Sequence, residues 1–322
     1  MRTIPYLTAI NEALAEEMTR DESVFMLGED IQQGTFFITT GLVQRFGPER
    51  VMDTPLSETA VTGAAVGAAM AGYRPVADLM FADFMYIAGN ELVNNAAKWH
   101  FIHAGQVKLP LVILSCMGGG FRLGPEHSQC PESFVMHVPG LKLALPSNPY
   151  DAKGLLKSAI RDDNPVVYFY HKGLLGVQGE VPEEDYTVPL GVAEVKREGT
   201  DVTVVATSLM VQHALAAATE LDGKVSVEVV DPRTLEPLDM DTIVKSVKKT
   251  GHVVIADEDT KRCGPTAEIG MQIVENAFDA LDAPIERVAA ANMPLAAGYM
   301  EQYILPQPAD IVAAIDRVLG RA

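Results

Sequence analysis

Basic residues are scarce in this 322-residue chain: Lys and Arg number 25 against 43 Asp and Glu, giving a formal net charge of −18. A surface of that sign repels a phosphate backbone, and no Lys/Arg cluster offsets it, so nucleic acid is excluded as a partner. The same shortage argues against this chain gripping a highly phosphorylated ligand by itself. Cysteine is nearly absent. Cys116, Cys130 and Cys263 share no Cys-x-x-Cys spacing, which excludes a zinc knuckle or a cysteine-held iron–sulfur site and leaves three buried, unpaired thiols as the expectation. Long apolar runs are missing too. The longest small, apolar segment, Gly63 to Gly72, is about half of what a bilayer-spanning helix needs, and the opening Met-Arg-Thr-Ile-Pro-Tyr lacks the apolar core of a secretion signal. The sequence therefore reads as a cytoplasmic protein without a membrane segment.

What is present is core material, at 48% hydrophobic residues, in a chain long enough for two domains. Short apolar runs alternate with helix-period segments throughout, the pattern of parallel sheets covered by helices, hence an α/β fold of two doubly wound domains. In the first half, strands are predicted at Arg74–Phe81, Leu109–Met117, Leu141–Pro146 and Val166–Tyr170. Helices are predicted at Leu7–Asp21, Glu58–Ala71, Tyr86–Ala104 and Asn148–Asp162, the last with Asn148 as cap, Pro149 in the first turn and Asp151 facing the dipole. The acidic stretch Gly179-Glu-Val-Pro-Glu-Glu-Asp-Tyr reads as a linker, placing domains at 1–180 and 189–322 with 181–188 between them. Beyond it, strands are predicted at Asp201–Thr207, Val225–Val230, Gly251–Asp257 and Pro284–Ala290. Helices follow at Val211–Leu221, Asp239–Thr250, Ala267–Ala280 and Pro308–Leu319.

Three places carry candidate chemistry. Glu58 closes Asp53-Thr-Pro-Leu-Ser-Glu and opens the Gly63–Gly72 segment, so its carboxylate borders a surface of small, apolar residues. An acid short of water is suited to hold or share a proton, although an acid in a first helical turn also serves simply to favour the dipole. In the same helix Gly63, Gly67 and Ala71 recur every fourth residue, leaving one ridge nearly bare for close helix packing. His127, in Gly-Pro-Glu-His-Ser-Gln-Cys, follows the glycine run Gly118-Gly-Gly, whose amides are open to a ligand; a histidine there moves protons near neutral pH or merely bonds a carbonyl. His100 and His103 sit on one helical face without an acidic or sulfur partner and read as structural. The glycine run is neither a dinucleotide fingerprint nor a P-loop, and no Gly-x-Ser-x-Gly elbow occurs.

Together these segments resemble the β subunit of the thiamine-diphosphate-dependent 2-oxoacid dehydrogenases, the family of pyruvate, branched-chain 2-oxoacid and acetoin dehydrogenase complexes. The resemblance runs in order through Phe25-Met-Leu-Gly-Glu-Asp, Asp53-Thr-Pro-Leu-Ser-Glu, Gly63–Gly72, Phe81-Ala-Asp-Phe and Glu126-His-Ser-Gln. It continues through Pro139-Gly-Leu-Lys-Leu-Ala-Leu-Pro-Ser-Asn-Pro, Asp151-Ala-Lys-Gly-Leu-Leu, Arg161-Asp-Asp-Asn-Pro and Asp231-Pro-Arg-Thr-Leu-Glu-Pro-Leu-Asp. It implies a transketolase-like pyrimidine-binding domain followed by a transketolase C-terminal-like domain. By that resemblance Glu58 bonds a ring nitrogen of the cofactor's aminopyrimidine, Phe84 stacks on the ring, Leu56 lines the pocket, and His127 serves proton transfer or the handling of the lipoyl group. Leu111, Ala159, Ile160, Asp162 and Asn164 match a potassium site, although a helix end capped by Asp162 or Asn164 accounts for the same residues.

The family's diphosphate-and-magnesium motif, Gly-Asp-Gly with Asn-Asn further on, is missing, since Asn94-Asn95 occurs alone. The resemblance thus implies an α subunit that holds the diphosphate and its Mg2+, two α and two β chains with a shared cofactor, and a lipoyl acyltransferase core as onward partner. The substrate stays open among 2-oxo acids and acetoin, because Cys116-Met-Gly-Gly-Gly-Phe-Arg and His171-Lys-Gly-Leu-Leu depart from the family's usual loops. The pyrimidine-domain half of a split transketolase and a non-catalytic scaffolding chain are the alternatives.

Overall fold

The computed structural model describes residues 1–321, and the chain divides into two compact units. The first comprises Met1–Met117 and Phe134–Leu190; the second comprises Gly118–Ser133 and the chain from Gly191 onward.

The first unit is built on β1 (Arg2–Pro5), α1 (Tyr6–Arg20), β2 (Val24–Gly28), β3 (Val51–Asp53), α2 (Glu58–Met70), β4 (Arg74–Phe81), β5 (Val112–Met117), β6 (Lys142–Ala144), α3 (Pro149–Arg161), β7 (Val166–His171) and β8 (Gln178–Val181). Its parallel strands lie in the order β6-β7-β5-β4-β2-β3. The chain moves outward from β2 to β3, then returns to β4 on the opposite side of β2. The direction of winding therefore reverses between β2 and β4, where Gly28 is paired with Asp78 at the strands' C-terminal ends. Crevices of α/β proteins open at such reversals.

Helices α1 and α3 pack together on this unit, and charge joins them as well as apolar surface. The fully buried Lys153 reaches Glu12 at 3.0 Å and Glu16 at 2.6 Å, the fully buried Lys157 reaches Glu16 at 2.6 Å and also Asp185, and Arg161 meets the buried Glu17 at 2.6 Å. These two lysines spend their stems on core contacts and end on carboxylates, which is how a lysine tolerates burial. As the sequence suggests, Asn148 caps α3 by accepting the Asp151 N–H, with Pro149 in the first turn.

The stretch read as a linker is folded onto this unit. β8 pairs antiparallel with β1, Tyr186 stacks on Tyr150, and Val188 lies so close to Gly154 that a Cβ there would meet its side chain at 2.4 Å. Asp185 is drawn into ion pairs with Lys157 and Arg161, while Glu180, Glu183 and Glu184 stay exposed. The segment predicted as one helix, Tyr86–Ala104, is also broken. It forms a turn at Ala82–Tyr86, a π-helical stretch at Glu91–Ala96 and one α-turn at Trp99–Ile102. Asn94 and Asn95 spend their side chains on Asn90 and Glu91 one turn back, which favours the widened geometry over a regular helix.

The second unit contains β9 (Glu194–Arg197), β10 (Val202–Ala206), α4 (Leu209–Glu220), β11 (Val227–Asp231), α5 (Met240–Thr250), β12 (Val253–Thr260), α6 (Pro265–Ala277), β13 (Glu286–Ala290) and α7 (Pro308–Val318). The sheet order is β13-β12-β10-β11-β9, parallel except for β9. Val204, Val229, Val254, Ala214 and Ile315 belong to its buried apolar core. The short segment Gly118–Ser133, drawn from the first half of the sequence, folds with this unit. One thiol departs from expectation: Cys116 and Cys130 are buried, but Cys263 is exposed, in a turn at φ +58°. No helix among the described residues is long and apolar enough to cross a membrane.

Candidate active site

In the first unit, the chain reversal between β2 and β4 gathers three of the residues singled out from sequence. Glu58 is the first residue of α2 and is 8% exposed, whereas Leu56, two residues earlier, is 67% exposed. The Thr59 hydroxyl donates to the Ile87 carbonyl at 3.0 Å, which fastens the start of α2 to the end of the Ala82–Tyr86 turn carrying Phe84. Phe84 meets Phe81 edge-on at 5.8 Å between centroids, and Phe81 meets Phe36 at 5.1 Å, so the aromatic side chains are fixed by one another. A buried carboxylate beside an exposed leucine and a half-buried phenylalanine suits a flat ring with one apolar face and one basic edge nitrogen. That combination fits the aminopyrimidine the sequence resemblance implies.

Two acids in this region escaped the sequence reading. Glu29 follows β2, and burial, reinforced by the charges of Asp30 and Glu58, raises its pKa. Asp78 is 4% exposed, and burial pushes its carboxyl up to about 7. One of its oxygens accepts the Met80 N–H at 2.8 Å; the other is buried without a hydrogen-bond partner. Met80 sits at φ +60°, and the pairing with β5 breaks between Asp78 and Phe81. Asp78 thus secures the bulge that redirects the strand toward Phe81 and Phe84. A bulge has no signature in hydropathy, so only an acid in an apolar strand hinted at it.

The residues matching a potassium site also lie in this unit, around the end of α3. Leu111 O accepts the Val166 N–H at 2.9 Å and Ala159 O the Asp162 N–H at 3.3 Å, while Ile160 O and Asp162 O each accept the Arg74 guanidinium at 3.0 Å. Asp162 also holds the Asn164 N–H at 2.8 Å and the Lys142 ammonium at 2.5 Å. Each carbonyl keeps a second lone pair. The oxygen-only set fits a weakly held monovalent cation, with two protein cations already drawing on it.

His127 belongs to the second unit, on the Gly118–Ser133 loop, whereas Glu58 and Phe84 belong to the first. The loop's glycine amides are not open as the sequence suggested. The Gly119 N–H donates to Glu258 at 2.6 Å, and the Gly120 and Arg122 N–H groups donate to the two oxygens of Glu301 at 2.7 and 3.1 Å. The loop also ends among acids: Ser133 donates to Asp259 at 2.8 Å, and burial raises Glu132 well above the carboxylate range, with Asp257 and Asp259 adding to it. His100 and His103 each place Nδ1 on a backbone carbonyl, Val107 O and Trp99 O, in keeping with a structural role.

The family description "Transketolase, pyrimidine binding domain" matches residues 2–178, and "Transketolase, C-terminal domain" matches residues 191–311. The chain is similar to the β subunit of acetoin:2,6-dichlorophenolindophenol oxidoreductase from Cupriavidus necator, 45% identical with 99% of this chain and 98% of the relative covered. It is similar as well to the β subunit of 2-oxoisovalerate dehydrogenase from Bacillus subtilis, 45% identical with 98% of each chain covered. Among solved structures, a split-gene transketolase in an inactive β4 tetramer superposes with a TM-score of 0.80 at 26% identity, covering 98% of each chain.

Proposed function

This chain belongs to the β-subunit family of the dehydrogenases of 2-oxo acids and acetoin, and from that membership we propose that it catalyses, with an α subunit, the cleavage of one such substrate and the acylation of lipoamide. The observation that carries the site assignment is the buried Glu58 carboxylate beside exposed Leu56, with its helix tied to the Phe84 turn through Thr59.

In this reading thiamine diphosphate, when bound, supplies the electron sink for the bond that breaks. Glu58 holds a proton at a ring nitrogen of the aminopyrimidine, Phe84 stacks on the ring, and Leu56 keeps water from its edge. His127 moves a proton in the step that hands the acyl group to the lipoyl sulfur. The α subunit holds Mg2+ and the diphosphate, in an assembly of two α and two β chains that passes product to a lipoyl acyltransferase core. The loop of Leu111, Ala159, Ile160, Asp162 and Asn164 takes potassium. Residues 1–180 form the pyrimidine-binding domain and 189–322 the C-terminal domain, in a cytoplasmic enzyme.

The test is co-purification with the α chain, followed by turnover with thiamine diphosphate and magnesium on pyruvate, branched 2-oxo acids and acetoin. Lipoamide-dependent turnover on one of them supports the proposal. Cofactor binding without turnover on any member of the panel overturns it.

A further inference from the structure

Gly118, Gly120, Arg122 and Gly124 have φ values of +82°, +109°, +60° and +90°. Alternation of this kind turns successive N–H groups toward one side and makes a concavity for an anion. Such a concavity commonly receives a phosphate; here its occupant is the protein's own carboxylate. Glu301, 5% exposed, lies in the turn Gly298–Tyr303 and places one oxygen on the Gly120 N–H and the other on the Arg122 N–H, at 2.7 and 3.1 Å. Glu258, 6% exposed at the end of β12, takes the Gly119 N–H at 2.6 Å. The Gly298 N–H returns a bond to the Arg122 carbonyl at 3.1 Å, and the Gly118 N–H closes the loop's base on Gln129 O at 3.1 Å. A Cβ at 119 would stand 2.2 Å from Leu305 Cδ1 and 3.2 Å from the Glu301 carboxyl carbon, so both side chains would have to shift to admit it.

Two buried carboxylates from the C-terminal half thus hold the Gly119, Gly120 and Arg122 donors at the start of a segment that carries His127 and ends at Ser133. A loop of this length, rich in glycine, otherwise samples many conformations, and its histidine reaches a reacting atom only in a few of them. We propose that Glu301 and Glu258 are positioning residues, which set the reach of the His127 loop for acyl transfer to the lipoyl group. The proposal rests on the assignment of His127 to that step. Glu301→Gln keeps one acceptor oxygen and turns an amide NH2 against a backbone N–H, so it removes the charge and one of the two bonds with little change in volume. Glu258→Gln removes the charge that faces the Gly119 N–H and leaves a neutral amide oxygen as its acceptor.

The experiment uses the α/β holoenzyme with thiamine diphosphate. Three quantities are compared for wild type, Glu301→Gln, Glu258→Gln and His127→Ala. They are decarboxylation coupled to 2,6-dichlorophenolindophenol, acylation of lipoamide, and the exchange rate of the Gly119 amide (for Glu258) and of the Gly120 and Arg122 amides (for Glu301) together with tryptic cleavage after the exposed Arg122. Loss of a charged hydrogen bond predicts roughly tenfold to 100-fold faster amide exchange and a matching fall in lipoamide acylation, with dye-coupled decarboxylation held within about twofold. Unchanged exchange and cleavage overturn the clamp. An equal fall in both activities with the tetramer intact overturns the positioning role. If Glu301→Gln does not fold, Glu258→Gln decides by the same criteria. If His127→Ala leaves both activities intact, the histidine assignment fails, and exchange and cleavage alone then judge whether Glu301 sets the loop.

Discussion

The Thr59 hydroxyl rests on the Ile87 carbonyl at 3.0 Å, and through that bond the helix that begins with Glu58 and the turn that carries Phe84 move as one piece. Neither Thr59 nor Ile87 is assigned a chemical role, yet the bond ties the start of the helix that opens with the buried Glu58 to the turn that carries Phe84. Glu58→Gln is expected to leave the assembly intact and to cost at least about 100-fold in turnover, the scale of a positioned proton-transfer group. Steady-state rates at saturating cofactor check this, and a rate near wild type removes Glu58 from the mechanism. Thr59→Ala should raise the cofactor's Kd several-fold while leaving kcat nearly unchanged.

Under the proposed function His127 serves the transfer to the lipoyl group, so His127→Ala should depress acylation of lipoamide more than dye-coupled decarboxylation. Equal loss in the two assays would move the histidine to the decarboxylation step.

Asp78 has a sign to its pH dependence. Its folded pKa, about 7, lies above the ordinary 3.8, so the folded state keeps a proton that the unfolded chain releases. Stability from this group is fully present below about pH 4, falls as pH rises toward about 7, and is level beyond, for a total of roughly 4 kcal/mol. Asp78→Asn should flatten that part of a stability-versus-pH curve measured by denaturant unfolding. A curve with the wild-type slope between pH 4 and 7 would show that Asp78 is already ionised there.

How much of this was legible in the sequence depends on distance along the chain. Arg74–Phe81 is a strand with the limits its apolar run suggests, and Glu58 opens its helix as the small-residue segment requires. Short strands such as Val51–Asp53 and Arg2–Pro5 were missed because three or four residues carry no period, and their existence is decided by the strand beside them. The glycine run marked a special loop correctly, but its partners, Glu258 and Glu301, lie well over 100 residues away, so the amides looked open when they were taken. The acidic stretch around Asp185 looks like a linker in the sequence for the same reason: Lys157 and Arg161, which receive it, lie more than 20 residues earlier, in a helix whose pattern announces only its own start.

Lys157 tests that last point. Its side chain is fully buried between Glu16 and Asp185, and the lowered pKa of Glu16, despite burial, reflects its bonds to Lys153 and Lys157. Lys157→Ala removes the buried stem and its charged hydrogen bonds, while Glu16 keeps Lys153, Asp185 keeps Arg161 and both carboxylates reach solvent, so the expected cost is about 1–3 kcal/mol in unfolding free energy. Lys157→Met, which restores the apolar stem, should recover part of that. If both variants unfold with wild-type stability, the network adds nothing beyond packing.

The loop at the end of α3 sets two demands against each other. Ile160 O and Asp162 O already accept the Arg74 guanidinium, and Asp162 receives Lys142, so a further cation meets positive charge as well as free lone pairs. Binding under those conditions is weak and needs an ion that sheds water easily and tolerates irregular oxygen geometry, which favours potassium over magnesium. With a Kd about tenfold below the salt concentration, stabilisation is about 1.4 kcal/mol, worth a few degrees in Tm for a protein of this size. Thermal unfolding in potassium chloride against choline chloride at equal ionic strength should show that difference. Arg74→Met, which frees both carbonyls, should enlarge it. Identical Tm values in the two salts, for wild type and variant alike, would make the loop a helix end capped by Asp162 and bridged by Arg74, with no ion in it.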